Sequence, residues 1–326
     1  MSPFSPILAV HKWWKTWNTL PVWSWERAAS HYRAGRFEIA ERLYRLGLKR
    51  KASHPAHFCA RLDLAYCLFK LGHLEDAEHN LRYVTTHLPA SREAFVRLAR
   101  LQMWSGHALE AAWTIRRALR SIDVDPELAA LFLFAVLENG GPGYLLDEAI
   151  EANKRIETEG DDFPRLQAAR ARLEMVRGQY DAGREVLEKV AESENAPFES
   201  IVVYAEVLLA EGEIALARRH LRRAMAASPD YPRVLSLLAE TYLKSGDFYN
   251  GEYAKQLAIG ACQLTNWTSP REMHVLAESY YHTGDRISAL VVASKAKQAG
   301  TRLMGTYRGV RGLDQLIESL SSGTQA

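Results

Sequence analysis

Seven glycines recur along this 326-residue chain, and each has small residues at the same distances from it. They are Gly35, Gly72, Gly106, Gly178, Gly212, Gly246 and Gly284. The residue seven positions before each glycine is alanine, the residue five after it is alanine or glycine, and the residue twelve after it is small or β-branched. Three of the intervals between consecutive glycines are 34 residues long.

This pattern predicts repeated pairs of short helices. A glycine that ends the first helix supplies the left-handed conformation of a tight turn. Small residues at helical spacing on both helices let the pair approach closely. Each pair leaves an apolar face that only the next pair can cover, so the pairs are expected to stack.

One interval is too long for a single unit. Gly106 and Gly178 are 72 residues apart, which is two steps of 34 plus four. We therefore expect a degenerate repeat at about residues 126–160, with Ala135 and Ala149 as its small residues. Its turn is stretched by the Asn-Gly-Gly-Pro-Gly sequence at 139–143. The repeat array as a whole is assigned to residues 21–300.

The pattern resembles the tetratricopeptide repeat family, whose unit is 34 residues with small residues at these places. The family's proline after the second helix occurs at Pro89 and Pro229, whereas its aromatic residue near the start of the first helix is mostly missing, with Phe95 the clearest instance. The resemblance implies an all-α fold: a right-handed superhelical solenoid of about eight helix-turn-helix repeats with N- and C-terminal caps. A solenoid of another helical hairpin, such as one with 36-residue units, stays open as the alternative.

Composition is that of a soluble globular protein, with 48% hydrophobic and 25% charged residues. The three cysteines, Cys59, Cys67 and Cys262, are too few and too scattered for a disulfide framework or a zinc site. This favours a reducing compartment, and we expect the protein in the cytoplasm. The net charge of +2 is uneven: residues 1–120 carry +10 and the remainder −8, which predicts different partners for the two halves.

The N-terminal segment, residues 1–20, lies outside the repeats. It lacks a basic region and a cleavage site of the kind a secretory signal has. Trp13, Trp14 and Trp17, together with Trp23 and Trp25, fall within thirteen residues. Two interpretations are open: the indoles cap the first repeat, or they contact a partner or the inner face of a membrane, where Trp and Lys favour the interface.

The C-terminal sequence predicts a capping helix as well. Within residues 301–326, a short helix is expected from Leu313 to Leu320, followed by a tail. Helix starts are predicted at Ser91, at Asp125, and at Ser269, where Ser269 and Glu272 have the spacing of a capping box.

No enzyme motif occurs: the sequence lacks a phosphate loop, a nucleophile elbow and an HExxH zinc motif. We therefore expect no catalytic residue, no metal site, no cofactor and no small-molecule substrate. The preferred hypothesis is a non-catalytic scaffold or adaptor that binds protein segments within a multiprotein complex. An alternative is a membrane-peripheral assembly factor of an envelope-biosynthesis or secretion complex, docked through the tryptophan-rich N-terminus.

The resemblance further implies that the first helices line a concave groove. Its N-terminal part would carry Tyr32, Arg33, Tyr66, Phe69, Lys70, Arg97, Arg100, Met103 and Trp104, and its C-terminal part Glu206, Leu209, Glu240, Lys244, Glu278, Tyr281 and His282. Aromatic residues with arginines are typical of binding hot spots. We expect the N-terminal part to bind a segment that contains aromatic and acidic residues.

Two arginine clusters fall on predicted second helices, which the resemblance places on the outer side. They are Arg116, Arg117 and Arg120, and then Arg218, Arg219, Arg222 and Arg223. Both are expected to form solvated faces. A second alternative, nucleic-acid binding through these arginines, is not favoured because they have few aromatic neighbours on which bases could stack.

Overall fold

The computed structural model describes residues 24–49, 56–139, 143–156, 163–302 and 307–322. These residues form seventeen helices and no strand, which confirms the predicted all-α fold of helical repeats. The helices are α1 (residues 24–33), α2 (Phe37–Leu48), α3 (His57–Lys70), α4 (Leu74–His87), α5 (Arg92–Trp104), α6 (Ala108–Ala118), α7 (Pro126–Asn139), α8 (Gly143–Lys154), α9 (Pro164–Val176), α10 (Tyr180–Glu192), α11 (Phe198–Glu211), α12 (Ile214–Ala227), α13 (Pro232–Leu243), α14 (Gly251–Leu264), α15 (Pro270–His282), α16 (Arg286–Arg302) and α17 (Val310–Ser322).

The turn glycines have the backbone conformation that the sequence pattern predicts. All seven have positive φ, from +71° at Gly35 to +130° at Gly246. In six of the turns the residue after the glycine donates its N–H to the carbonyl five residues earlier, as Glu213 does to Leu208 at 2.8 Å. The Gly246 turn differs: there Asn250 donates to Tyr242, and α14 does not begin until Gly251.

The small residues at the predicted positions are buried. The seven alanines that precede the glycines are at most 3% exposed, and the residues five and twelve positions after the glycines are buried too. Gly183 shows why the second helix needs a small residue there, since an added Cβ would come within 3.1 Å of the Met175 amide nitrogen on the first helix. At this point α9 and α10 therefore touch nearly backbone to backbone.

The contacts of the chain divide it into two compact units, and the boundary falls within α5. Unit 1 comprises residues 1–98 and unit 2 comprises residues 99–326. The division into an N-terminal segment, an array and a C-terminal cap stays a prediction.

Unit 1 is built around α1 to α4. Trp25 of α1 packs on Gly47 of α2, where no side chain larger than hydrogen would fit. Tyr44, 1% exposed, donates its hydroxyl to Asp63 of α3 at 3.0 Å. Burial raises the pKa of the Asp63 carboxyl, an effect that this hydrogen bond and Arg97 partly offset.

Unit 2 is itself built from stacked helix pairs. Each first helix packs against its own second helix, and the first helices α7, α9, α11, α13 and α15 also contact one another in succession. The predicted degenerate repeat is α7 and α8, in which Ala135 and Ala149 are fully buried; residues 140–142 of its stretched turn lie outside the described part of the chain. Helix α17 packs on α16 through the buried Leu313 and Leu320, at the place where a terminal helix was predicted.

Two of the three predicted helix caps form. Asp125 accepts the amide N–H groups of Glu127 and Leu128 at 2.9 and 3.0 Å, and Ser91 accepts that of Ala94 at 3.4 Å. The capping box at Ser269 is wrong, although α15 starts where expected. The Ser269 hydroxyl instead donates to the Glu272 carboxylate, which is 1% exposed and needs donors.

Replacing glycine by alanine should have opposite effects on stability at a turn glycine with positive φ and at a glycine inside a helix. Gly212→Ala forces a Cβ into φ +85° and should lower the free energy of unfolding by about 1 kcal/mol. Gly260→Ala, inside α14, places its Cβ at an ordinary 3.6 Å from Leu235. This change should raise the free energy of unfolding by about 0.5–1 kcal/mol. Urea denaturation of both variants measures the two changes in the free energy of unfolding. Changes in the same direction would contradict the assignment of Gly212 to a left-handed turn.

Candidate functional site

The first helices present one face through two recurring positions, thirteen and six residues before each turn glycine. The two positions are seven residues apart, so they share a face of the helix two turns apart. From the second glycine onward the pairs are Cys59 and Tyr66, Glu93 and Arg100, Arg165 and Arg172, Glu199 and Glu206, Arg233 and Glu240, and Arg271 and Glu278. Of these residues, Cys59, Tyr66 and Glu93 belong to unit 1, whereas those of unit 2 are all charged.

Four rings form a cluster in unit 1, which we call the aromatic surface: Tyr32, Phe37, Tyr66 and Phe69. Tyr32, Phe37 and Tyr66 meet edge to face, with ring centroids 5.4 to 6.2 Å apart, and Phe69 lies 6.3 Å from Tyr66. Tyr66 remains 36% exposed. Sequence analysis had placed three of these rings on one face, whereas Phe37 was missed because it belongs to a second helix.

A basic side chain lies at the aromatic surface. Lys70 holds its ammonium 5.7 Å from the Tyr66 ring centre and 5.8 Å from that of Phe69, within cation–π range. Arg33 is exposed and donates to the Ala29 carbonyl at 3.3 Å. Unit 1 thus offers aromatic area with positive charge at its edge.

Arg97 also lies in unit 1, but its guanidinium is already engaged. It donates to the Glu93 carboxylate at 2.5 Å and to the Leu62 carbonyl at 3.1 Å. A partner carboxylate could reach Arg97 by replacing Glu93, whose side chain is 53% exposed.

The remaining predicted residues of the N-terminal groove belong to unit 2. Arg100 donates to Glu127 at 2.5 Å, and Met103 and Trp104 are half-buried on the same helix. The predicted set is therefore divided between the two units.

The charged positions of unit 2 pair with one another along successive first helices. Arg165 donates to Glu199 at 3.0 Å, and Arg233 donates to Glu206 at 2.6 Å. Arg172 contacts Glu206 at 3.7 Å. This charge ladder links α9, α11 and α13.

Of this ladder, the sequence predicts Glu206 in the C-terminal groove but neither Glu199 nor the arginines. The predicted C-terminal groove contained Glu206, Leu209, Glu240, Lys244, Glu278, Tyr281 and His282; the observed face also carries arginines, and many of its charges pair with one another. The signal was available in the position thirteen residues before each glycine, where Arg233 and Arg271 recur.

A cavity of about 320 Å³ opens on the ladder in unit 2. Glu138 of α7 lies on its wall between the guanidiniums of Arg172 and Arg271. Burial alone would raise the pKa of the Glu138 carboxyl, but Arg271 and Arg172 outweigh it and lower the pKa to about 2.

The carboxylates at the other end of the cavity behave in the opposite way. Burial and the neighbouring Glu240 raise the pKa of Glu278 to about 7, and burial also raises the pKa of Glu240. His274 faces Glu278 at 3.5 Å, and burial lowers its pKa to about 4. Burial therefore favours the uncharged form of both groups at this end of the cavity.

The last predicted groove residues lie near that end. Lys244, Tyr281 and His282 line a neighbouring cavity of about 460 Å³, and Tyr281 is 43% exposed. Leu209 instead packs against the core of α11 to α13.

The second arginine cluster is not a uniformly solvated face, and the prediction is wrong for Arg218. This residue is 5% exposed, donates to the Thr241 carbonyl at 2.9 Å, and lies over the rings of Tyr242 and Phe248 at 4.4 and 4.8 Å. It occupies the side of α12 that packs on α13. Burial lowers the pKa of its guanidinium.

Other arginines of these clusters join helices at the surface. Arg116 donates to Glu148 at 2.6 and 2.8 Å, Arg219 to Glu192 at 2.5 Å, and Arg223 to the Ala191 carbonyl at 2.7 Å. These contacts connect neighbouring repeats, which is a structural role.

Two neighbouring arginines of α12 should therefore differ in their effect on stability. Arg218→Ala should lower the free energy of unfolding by about 2 kcal/mol, because it removes a buried hydrogen bond and two ring contacts. Arg219→Ala, with a side chain 62% exposed, should cost less than about 1 kcal/mol. Urea denaturation of the two variants side by side checks this; equal losses would contradict the burial of Arg218.

The tryptophans Trp13, Trp14 and Trp17 lie outside the described residues, so the choice between a cap and a membrane or partner contact stays a prediction. Among the helices of the described ranges, none combines the length and the apolar character needed to cross a bilayer.

Known proteins share this architecture. One curated relative is the CTR9 homolog of Arabidopsis thaliana, 23% identical over 228 residues, which are 68% of this chain and 20% of the relative. The chain thus spans about a fifth of that protein's length. A crystal structure of the APC/C hetero-tetramer Cut9–Hcn1 matches 98% of this chain and 69% of its own, with a TM-score of 0.67 and 11% identity.

A structure of monomeric IFIT1 with Gppp-AAAA matches 86% of this chain and 69% of its own, with a TM-score of 0.51 and 14% identity. At such identities the two structures show the fold alone. Family models described as tetratricopeptide repeat match residues 26–87 and 208–248. Together with the seven glycine turns and their buried alanines, these matches support a tetratricopeptide repeat protein.

Proposed function

We propose that this protein is a non-catalytic scaffold that binds segments of partner proteins on the faces of its first helices. Stacked helical pairs give an extended surface without the enclosed, preorganised constellation that chemistry requires. Cut9–Hcn1, which shares the fold, is a hetero-tetramer, and protein partners within a complex are proposed for this chain as well. No residue is assigned a catalytic role.

The aromatic surface of unit 1 is the observation that carries this proposal. In unit 1, Tyr66 of α3 lies six residues before its turn glycine and keeps 36% of its area exposed. In unit 2 the equivalent positions carry charged side chains that are mostly paired. Aromatic rings bury large areas on binding and lose little conformational entropy. A partner segment can therefore gain more from unit 1 than from the charge ladder.

Charge indicates what kind of segment fits. Residues 1–98 contain fifteen Lys and Arg and eight Asp and Glu. Lys70 stands at the edge of the aromatic surface, Arg33 is exposed on α1, and Arg97 can exchange Glu93 for another carboxylate. Positive potential speeds the association of acidic segments, and apolar area then holds them. The partner segment is therefore expected to combine an aromatic or apolar anchor with acidic neighbours.

A displayed peptide library selected on the intact protein tests this. The enriched peptides should contain an aromatic residue flanked by Asp or Glu. Tyr66→Ala should then weaken their binding, measured by fluorescence anisotropy, by roughly thirtyfold, since a central aromatic anchor contributes about 2 kcal/mol.

Tyr253→Ala is the matched control. Tyr253 is 37% exposed and also makes an edge contact, with Tyr242 at 4.9 Å, but it lies on the second helix α14. Its replacement should change affinity less than threefold. Selected peptides whose binding depends on Tyr253 and not on Tyr66 would refute the assignment of the binding surface.

A further inference from the structure

Two contacts in unit 2 join segments that are far apart in sequence. Arg271 at the start of α15 donates to Glu138 at the end of α7, 133 residues earlier. The turn at Gly106 lies against Ser269 and Glu272, so that a Cβ at position 106 would overlap the Ser269 hydroxyl. Six of the seven turn glycines would place a Cβ in open space, and Gly106 is the exception among these turns.

Further hydrogen bonds support the contact between Glu138 and Arg271. Glu138 accepts two hydrogen bonds from Arg172 at 3.2 Å besides the one from Arg271. Arg271 also donates to Glu272 at 3.2 Å. The side chains of Glu138 and Arg271 are only 19% and 20% exposed. Such a pair is stabilising only while both charges keep their partners.

These contacts differ in kind from the rest of the repeat array. Repeats that touch only their neighbours open and close nearly independently along the chain. A bond between α7 and α15 instead ties the opening of one repeat to the opening of another several repeats away. It also places a carboxylate of the chain itself between Arg172 and Arg271, on the wall of the cavity.

We propose that Glu138 and Arg271 form a latch that holds the first-helix faces of unit 2 closed, and that acidic segments of a partner bind Arg271 when the latch opens. The second half of this proposal rests on the proposed function. In the latched state Glu138 occupies the place that a partner carboxylate would take, because both offer the same planar pair of oxygens to a guanidinium. Unit 2 then binds weakly until it opens.

Glu138→Gln is the test variant, and Glu206→Gln is its control. Glu206 is similarly buried, with 18% of its side chain exposed, and belongs to the same ladder. Its ion pairs are with Arg172 and Arg233 of the adjoining first helices, and it acts on Arg271 through its charge rather than through a hydrogen bond seen in the described residues. Both variants lose one negative charge. Hydrogen exchange is measured without any ligand at three places: residues 105–108, the end of α7, and residues 270–276.

Glu138→Gln should speed exchange at all three places at least tenfold, although they are distant in sequence. Glu206→Gln should leave residues 105–108 and 270–276 within twofold of the unmodified protein. Unchanged exchange at 270–276 in Glu138→Gln, or equal changes in both variants, would overturn the latch. Should Glu138→Gln not fold, Arg271→Lys, which keeps the charge and cannot reach both carboxylates, must show the same pattern.

A hexaglutamate peptide tests the second half of the proposal, that acidic segments bind Arg271 when the latch opens. Glu138→Gln should bind it at least tenfold more tightly than the unmodified protein does, and Glu206→Gln less than threefold more tightly. If hydrogen exchange speeds up but the affinity for hexaglutamate does not rise, the latch is supported and the proposal that unit 2 binds acidic segments is wrong. The peptide-library result at Tyr66 is independent of both outcomes.

Discussion

Close contact between the two helices of each repeat is the constraint on which the structure depends. Alanine or glycine at the contact lets the backbones approach, and a glycine in the left-handed region turns the chain within two or three residues. At Gly183 the neighbouring helix already lies in van der Waals contact with the backbone. A larger side chain at such a position would separate the helices and shift every repeat stacked on them.

That constraint also fixes which residues are available for binding. Since the small residues take up the contact within each pair, the positions thirteen and six residues before the glycine remain on a face of the first helix turned away from that contact. In unit 1 this face carries Tyr66, with Lys70 nearby, and in unit 2 it carries both arginine and glutamate. Pairing charges between repeats costs desolvation and adds little net stability. Its clearer consequence is that each repeat must keep its register with the next.

The repeat itself could be predicted from sequence because its signals are local. A glycine and two alanines at fixed spacing indicate a turn and a helix contact wherever they occur. The bonding of individual charged residues could not be predicted in this way. Spacing put Arg218 and Arg219 in one cluster, but only the packing of α12 on α13 shows that the first is buried and the second exposed. The contact of Glu138 with Arg271 has no local signal, because it depends on the summed rotation of all the repeats between them.

Site-specific photo-crosslinking tests most directly the claim that partners bind the first-helix face of unit 1. A benzophenone amino acid would replace Tyr66 on α3 in one variant and Tyr144 on α8, a second helix with a 46% exposed ring, in another. Each variant is irradiated with the library-selected peptide. We expect an adduct at position 66, abolished by excess unlabelled peptide, and none at position 144. An adduct at 144 with none at 66 would contradict the claim.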